Sequence, residues 1–164
     1  FVINLLSLFV FRPLLTDLAK DWEGENIKEF TDIVKKMMIL IGALTIAACV
    51  GAYLLGIPIL SLVYGVDLRA YRMELVIIMI CGGLNAYVYC LYYVVTVTGK
   101  QIFLLLGYGA GLIFAVFLGS GFVKSLGMLG AALSCTLSFG VVFIVFLIIT
   151  SCVVKDRKKK TEVR

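Results

Sequence analysis

The sequence predicts an all-α integral membrane protein, and three observations predict it. The hydrophobic fraction is 62% and the charged fraction 15%, against roughly 45–50% and about 25% in an ordinary soluble domain. Asp, Glu, Lys and Arg are missing from 37–66, 75–99, 101–123 and 125–154, stretches of 30, 25, 23 and 30 residues. A bilayer core about 30 Å thick is crossed by about 20 apolar residues of helix. Finally, a soluble bundle would place charges at helical period to give each helix a wet face, and these stretches have none.

Residues 1–11 are apolar, too short to span, and without the basic leading region of a signal peptide. They are read as the end of a truncated transmembrane helix, the first part of which belongs to a longer protein. Residues 12–36 form a cytoplasmic amphipathic connection. Within it Leu14, Leu15, Leu18 and Trp22 recur at helical spacing, which suggests an interfacial helix with Trp22 at headgroup depth. Gly24 interrupts it, and Asn26 with Glu29 three residues on has the pattern of a capping box. Ile27, Phe30, Ile33, Val34 and Met37 then lead as an apolar stripe into the first full span.

Four full spans are expected within 37–153, at 37–60, 75–97, 102–119 and 129–153. Pro58 lacks a backbone donor and is expected to kink or end the first span. An external loop follows over 64–72. The turn Thr98-Gly99-Lys100-Gln101 is so short that the second and third spans are expected to be antiparallel neighbours. A second external loop is expected over 119–127, and 154–164 is a basic tail.

The loops set the orientation. Arg12, Lys20, Lys28, Lys35, Lys36, Lys100, Lys155, Arg157, Lys158, Lys159, Lys160 and Arg164 fall on one side, and only Arg69, Arg72 and Lys124 on the other. Basic residues mark the cytoplasm, so the C-terminus is expected there. The tail cluster anchors the topology and is attracted to anionic headgroups.

Cys49, Cys81, Cys90, Cys135 and Cys152 match no zinc or disulfide spacing and read as small packing residues. There is no His, which removes most metal sites, proton shuttles and triads. No catalytic residue, metal, cofactor or nucleic-acid partner is expected. Gly107 and Gly111, and Gly130, Ser134 and Ser138, recur four apart. Small residues at that spacing let helix backbones approach where lipid gives no hydrophobic drive to associate.

One polar stripe stands out. Gly82, Asn85, Tyr89, Tyr92 and Thr96 share a face of the second span. An unpartnered amide in hydrocarbon costs several kcal/mol. Asn85 therefore either bonds another helix or lines a hydrophilic cavity, where Tyr and Asn are suited to sugar hydroxyls. The tyrosines also fit an interfacial belt. Arg12, before Pro13, is placed to meet a phosphate bidentately and equally fits a cytoplasmic flank.

Three runs carry a family resemblance: 11–19 (FRPLLTDLA), 56–68 (GIPILSLVYGVDL) and 127–132 (GMLGAA). In this order and spacing they resemble the C-terminal part of polysaccharide and O-antigen flippases, members of the multidrug/oligosaccharidyl-lipid/polysaccharide exporter superfamily. The resemblance implies twelve to fourteen helices in two MATE-like lobes around a central cavity. This chain would be the C-terminal part, with four full transmembrane helices plus one truncated. It also implies a bacterial cytoplasmic membrane, alternating access, a missing N-terminal lobe as partner, and a lipid-linked sugar as substrate. On that mapping Arg12 stands at the family's cytoplasmic RP-type turn and Asp67 at its external loop acid. The substrate-pathway candidates are thus Asn85, Tyr89, Tyr92, Thr96 and Arg12. The alternatives are a drug/cation antiporter or lipid II flippase of the same superfamily, a membrane-embedded polysaccharide polymerase or acyltransferase, or a structural membrane subunit.

Overall fold

The computed structural model describes residues 16–22, 24 and 26–162, apart from the side chains of Ala70 and of residues 160–162. Arg12, Leu14 and Leu15 lie outside them. Every regular element among the described residues is helical. A short helix α1 covers 16–22 and is followed by α2 (Ile27–Gly51), a π-helical turn (Ala52–Gly56) and α3 (Ile57–Tyr64). A 3-10 turn (Arg69–Tyr71) leads to α4 (Arg72–Val97), and α5 runs from Ile102 to Glu162.

Three stretches are long and apolar enough to cross a membrane: Ile27–Tyr64, Arg72–Val97 and Ile102–Lys159. Their outer surfaces suit hydrocarbon. Leu62 is 85% exposed, Phe117 78% and Ile39 72%, an apolar surface on a scale that water does not tolerate.

The first stretch starts and ends outside the bounds predicted from sequence. Asn26 does sit at the N-cap of α2, but it makes no side-chain capping bond. Its amide Nδ2 donates instead to the Glu29 carboxylate at 2.8 Å. Pro58 does not end the helix. It lies in the first turn of α3, directly after the π turn, so its missing donor falls where the regular hydrogen-bond register is already interrupted. The helix stops instead at Gly65, whose φ of 67° and N–H to Ser61 O bond of 2.9 Å make a left-handed C-cap.

α5 has 61 residues. Straight, it would be about 90 Å long at 1.5 Å per residue, three bilayer cores. It is not straight. Gly127 has φ 59° and ψ −128° and divides the helix into two arms. The arms fold back on each other, as the contacts show: Gly107 lies against Phe146, Gly111 against Val142, and Gly119 faces Ser134. Along the first arm the residue numbers rise by the same steps as their partners' numbers fall, the signature of an antiparallel hairpin. The external loop expected at 119–127 is therefore a single residue. Gly119–Leu126 stay helical, with the Ser125 hydroxyl bonded back to Gly121 O at 3.0 Å.

α4 is the hub. Ala86 and Cys90 pack on Met37 and Ile41 of α2. Val88, Leu91 and Val95 pack on Leu104 of the first α5 arm and Val142 and Phe146 of the second. A third cluster joins Leu18 of α1, Phe30 of α2 and Val94 of α4, with Val154 of α5 against it. α1 is thus docked on the protein's own end. The Trp22 ring lies 5.0 Å from Phe30 and under the Arg157 guanidinium at 5.0 Å, and Arg157 Nη2 donates to Trp22 O at 3.3 Å.

This third cluster also fixes where the charges go. It gathers the start of α2, the end of α4 and the end of α5, so Lys28, Lys35, Lys100, Lys155 and Arg157 share one end of the molecule. At the other end the Arg72 guanidinium lies 5.0 Å above the Tyr53 ring, and Gly56 abuts Leu75.

Candidate functional site

The polar face of α4 follows from its register. Cys81 touches Cys135 of the second α5 arm, sulfur to sulfur at 3.4 Å, and Val88 packs on the same hairpin. Asn85 sits between them on the helix, four residues after one and three before the other. It therefore shares the side that meets α5. Asn85 is half-buried, and its amide has no hydrogen-bond partner among the described residues. The interhelical bond that its position allows is not made among the described residues.

Lower on the same face, Tyr89 is 44% exposed and Tyr92 packs beside the Val88 cluster, its ring 5.5 Å from Tyr93. Thr96 turns its hydroxyl back to Tyr92 O at 2.8 Å, which satisfies it locally and removes it as a free donor. The Tyr108 ring, on the first α5 arm, lies edge-on to Phe146 at 5.3 Å, and Tyr92 packs on the cluster to which Phe146 belongs. Phenols from two helices thus meet around one core cluster. Tyr108 was missed in the sequence because it belongs to a different helix, and no periodicity links it to α4. Its only local signal is the pair of flanking glycines, Gly107 and Gly109.

Tyr108 also opens onto a cavity of about 430 Å³ between the arms, shared with Ser134, Cys135 and Ser138. The small residues of α5 serve both packing and cavity. Gly107 and Gly111 stand where Phe146 and Val142 cross, and Gly130 stands against the Phe122 carbonyl, with no room for a Cβ at any of the three. Gly111 also lines the cavity with Ser134 and Ser138, and the Ser138 hydroxyl donates back to Ser134 O at 2.8 Å.

The site is uncharged. Phenols, an amide and serines can exchange hydrogen bonds with a polar neutral ligand. Among the described residues no group of His, Cys, Asp or Glu is placed to hold a metal ion. The nearest charges on α4 are at its start, where Arg72 Nε and Glu74 Oε2 are buried without hydrogen-bond partners among the described residues. Comparison of the chain with protein-family models, curated proteins and solved structures finds no significant match.

Proposed function

We propose that the chain forms part of a transporter that flips lipid-linked oligosaccharide or polysaccharide repeat units across the bacterial cytoplasmic membrane by alternating access. The carrying observation is Asn85, a half-buried amide without a partner among the described residues. It heads a polar face that continues through Tyr89 and Tyr92, and Tyr108 meets Tyr92 around one core cluster. Holding such a group in apolar helices costs free energy, and a water-filled pathway used by sugar hydroxyls offsets that cost. In this reading the two arms of α5 are separate spans. The chain then contributes four full helices to one lobe of a two-lobe, MATE-like assembly, with the basic end, and so the C-terminus, in the cytoplasm. The sequence motifs at 11–19, 56–68 and 127–132 support the family. Lobes that rock about a polar midplane cavity supply the mechanism.

Cysteine labelling tests the reading. With the five native cysteines replaced, Asn85→Cys in the assembled transporter is expected to react with a membrane-impermeant maleimide in one conformational state. Protection in every state refutes a water-filled pathway. A second expectation is that Arg12→Ala reduces polymer export more than Lys20→Ala.

Cation-coupled drug export is the alternative favoured by one observation, the buried Glu74 Oε2, unpartnered among the described residues. Glu74→Gln would then abolish efflux of cationic dyes, whereas sugar-lipid flipping would survive it.

A further inference from the structure

We propose that the cleft between the start of α2 and the last turns of the second α5 arm binds one anionic phospholipid. The cleft has a volume of about 590 Å³, in the range of small-ligand pockets. Its floor is apolar, with Met38 from α2, Leu91 from α4 and Leu147 from α5. Its mouth is flanked by Lys35 and Lys155. From Leu147 to Lys155 the floor rises about 12 Å along the helix, the proportion of an acyl chain running up to a headgroup.

Charge complementarity selects the occupant. Lys35 has Asp32 as an exposed neighbour at 3.7 Å, and Lys155 has no carboxylate partner among the described residues. Two lysines against one carboxylate leave the mouth net positive, at the end of the molecule where the basic residues collect. A phosphate diester without a balancing ammonium satisfies both lysines. A zwitterionic headgroup brings its own cation against them.

Thr150 adds an independent observation. Thr31, Thr45, Thr96 and Thr136 turn their hydroxyls back on the carbonyl four residues earlier. Thr150 Oγ1 does not; it is buried, has no partner among the described residues, and its residue lines this cleft. It sits about 7 Å below Lys155 along the helix, the level at which a glycerol ester carbonyl accepts a hydrogen bond while the phosphate lies between the lysines. The site rests on membrane embedding alone and is independent of the transport reading.

The protein carries its own reporter. Trp22 is the one tryptophan, and its ring lies 5.0 Å from Phe30, which lines the cleft. The experiment is quenching of Trp22 fluorescence in neutral detergent by phosphatidylglycerol or phosphatidylcholine brominated on the acyl chains. A lysine near an anionic headgroup is worth about a fivefold change in affinity, and Asp32 weakens one of the pair. Saturable quenching by phosphatidylglycerol is therefore expected at about tenfold lower mole fraction than by phosphatidylcholine.

Lys35→Gln with Lys155→Gln should bring the two lipids level, whereas Lys158→Gln with Lys159→Gln should keep the preference. Equal quenching in the unaltered protein overturns the proposal, as does equal loss in both double variants, which would mean bulk surface charge. Should the cleft variant lose its helical circular dichroism, competition in the unaltered protein decides. Displacement of the brominated lipid by unlabelled phosphatidylglycerol alone supports the site, and equal displacement by both lipids, or quenching that tracks protein concentration as in self-association, overturns it.

Discussion

Replacing Gly127 by alanine should loosen the α5 hairpin, and the size of the effect can be worked from the backbone. Gly127 holds φ 59° and ψ −128°. An L-residue at positive φ costs about 1–2 kcal/mol even in the left-handed helical region. That region is centred near ψ +47°, so ψ −128° lies far from it, in territory where the cost reaches about 3 kcal/mol. Alanine also favours continuous helix over glycine by about 1 kcal/mol, and continuous helix is the competitor of the turn. The two contributions add to about 2–4 kcal/mol against the hairpin.

Gly121 is the control. It is helical, and a Cβ there meets nothing within 4 Å, so Gly121→Ala should be neutral or stabilising by up to about 1 kcal/mol. The assay is copper-phenanthroline oxidation of purified protein in detergent. Cys81 and Cys135 are 3.4 Å apart across the α4 contact with the second arm, and their cross-link reports whether that arm is in place. Gly127→Ala should slow cross-linking and lower the denaturant midpoint, and Gly121→Ala should do neither. Equal behaviour of the two variants would refute the assignment of the turn to Gly127.

Gly111→Val places two methyl groups where Val142 already sits, and overpacking of this kind costs about 1–3 kcal/mol; detergent unfolding followed by circular dichroism measures it, with Gly109→Val, whose Cβ meets nothing within 4 Å, as reference. Phe146→Ala empties a fully buried site in the α4–α5 cluster. The loss should fall below the about 3–5 kcal/mol typical of water-soluble cores, because lipid is as apolar as the interior and only lost packing counts; a larger value in the same unfolding assay would contradict a lipid-facing reference state. Arg157→Gln removes the cation–π contact and the bond to Trp22 O, together about 1–2 kcal/mol. Faster proteolysis near residue 24 and a red-shifted Trp22 emission are expected, and an unchanged spectrum would show that the packing of Leu18 and Trp22 on the Phe30 cluster holds α1 without Arg157.

The membrane character of the chain was legible because charge is costly in hydrocarbon and cheap to read in a sequence. The sorting of lysines and arginines to two ends was legible for the same reason. Geometry that depends on which backbone bond gives way was not. Gly119, Ser120, Gly121, Lys124 and Ser125 look like a loop by composition, yet Ser125 satisfies itself on the Gly121 and Phe122 carbonyls and Gly119 lets the arms close up on Ser134. Pro58 read as a kink or an end of the span because a π turn immediately before it leaves no mark in composition. Of the candidate pathway, the α4 stripe was visible through its 3.6-residue period. Tyr108 and the Thr150 hydroxyl were not, since each is defined by neighbours distant in sequence or by a local bond that fails to form.

The one-residue tip of α5 also constrains how this segment can be made. Two arms joined only at Gly127 cannot enter a membrane as independent events separated by a translocated loop. In the orientation proposed above they must leave the insertion machinery as a pair, each covering the other's glycine face as they go. Lys124 is then the single charge that has to cross with the tip. The basic residues that follow at 155–160 emerge at the moment when they can still hold the pair in place.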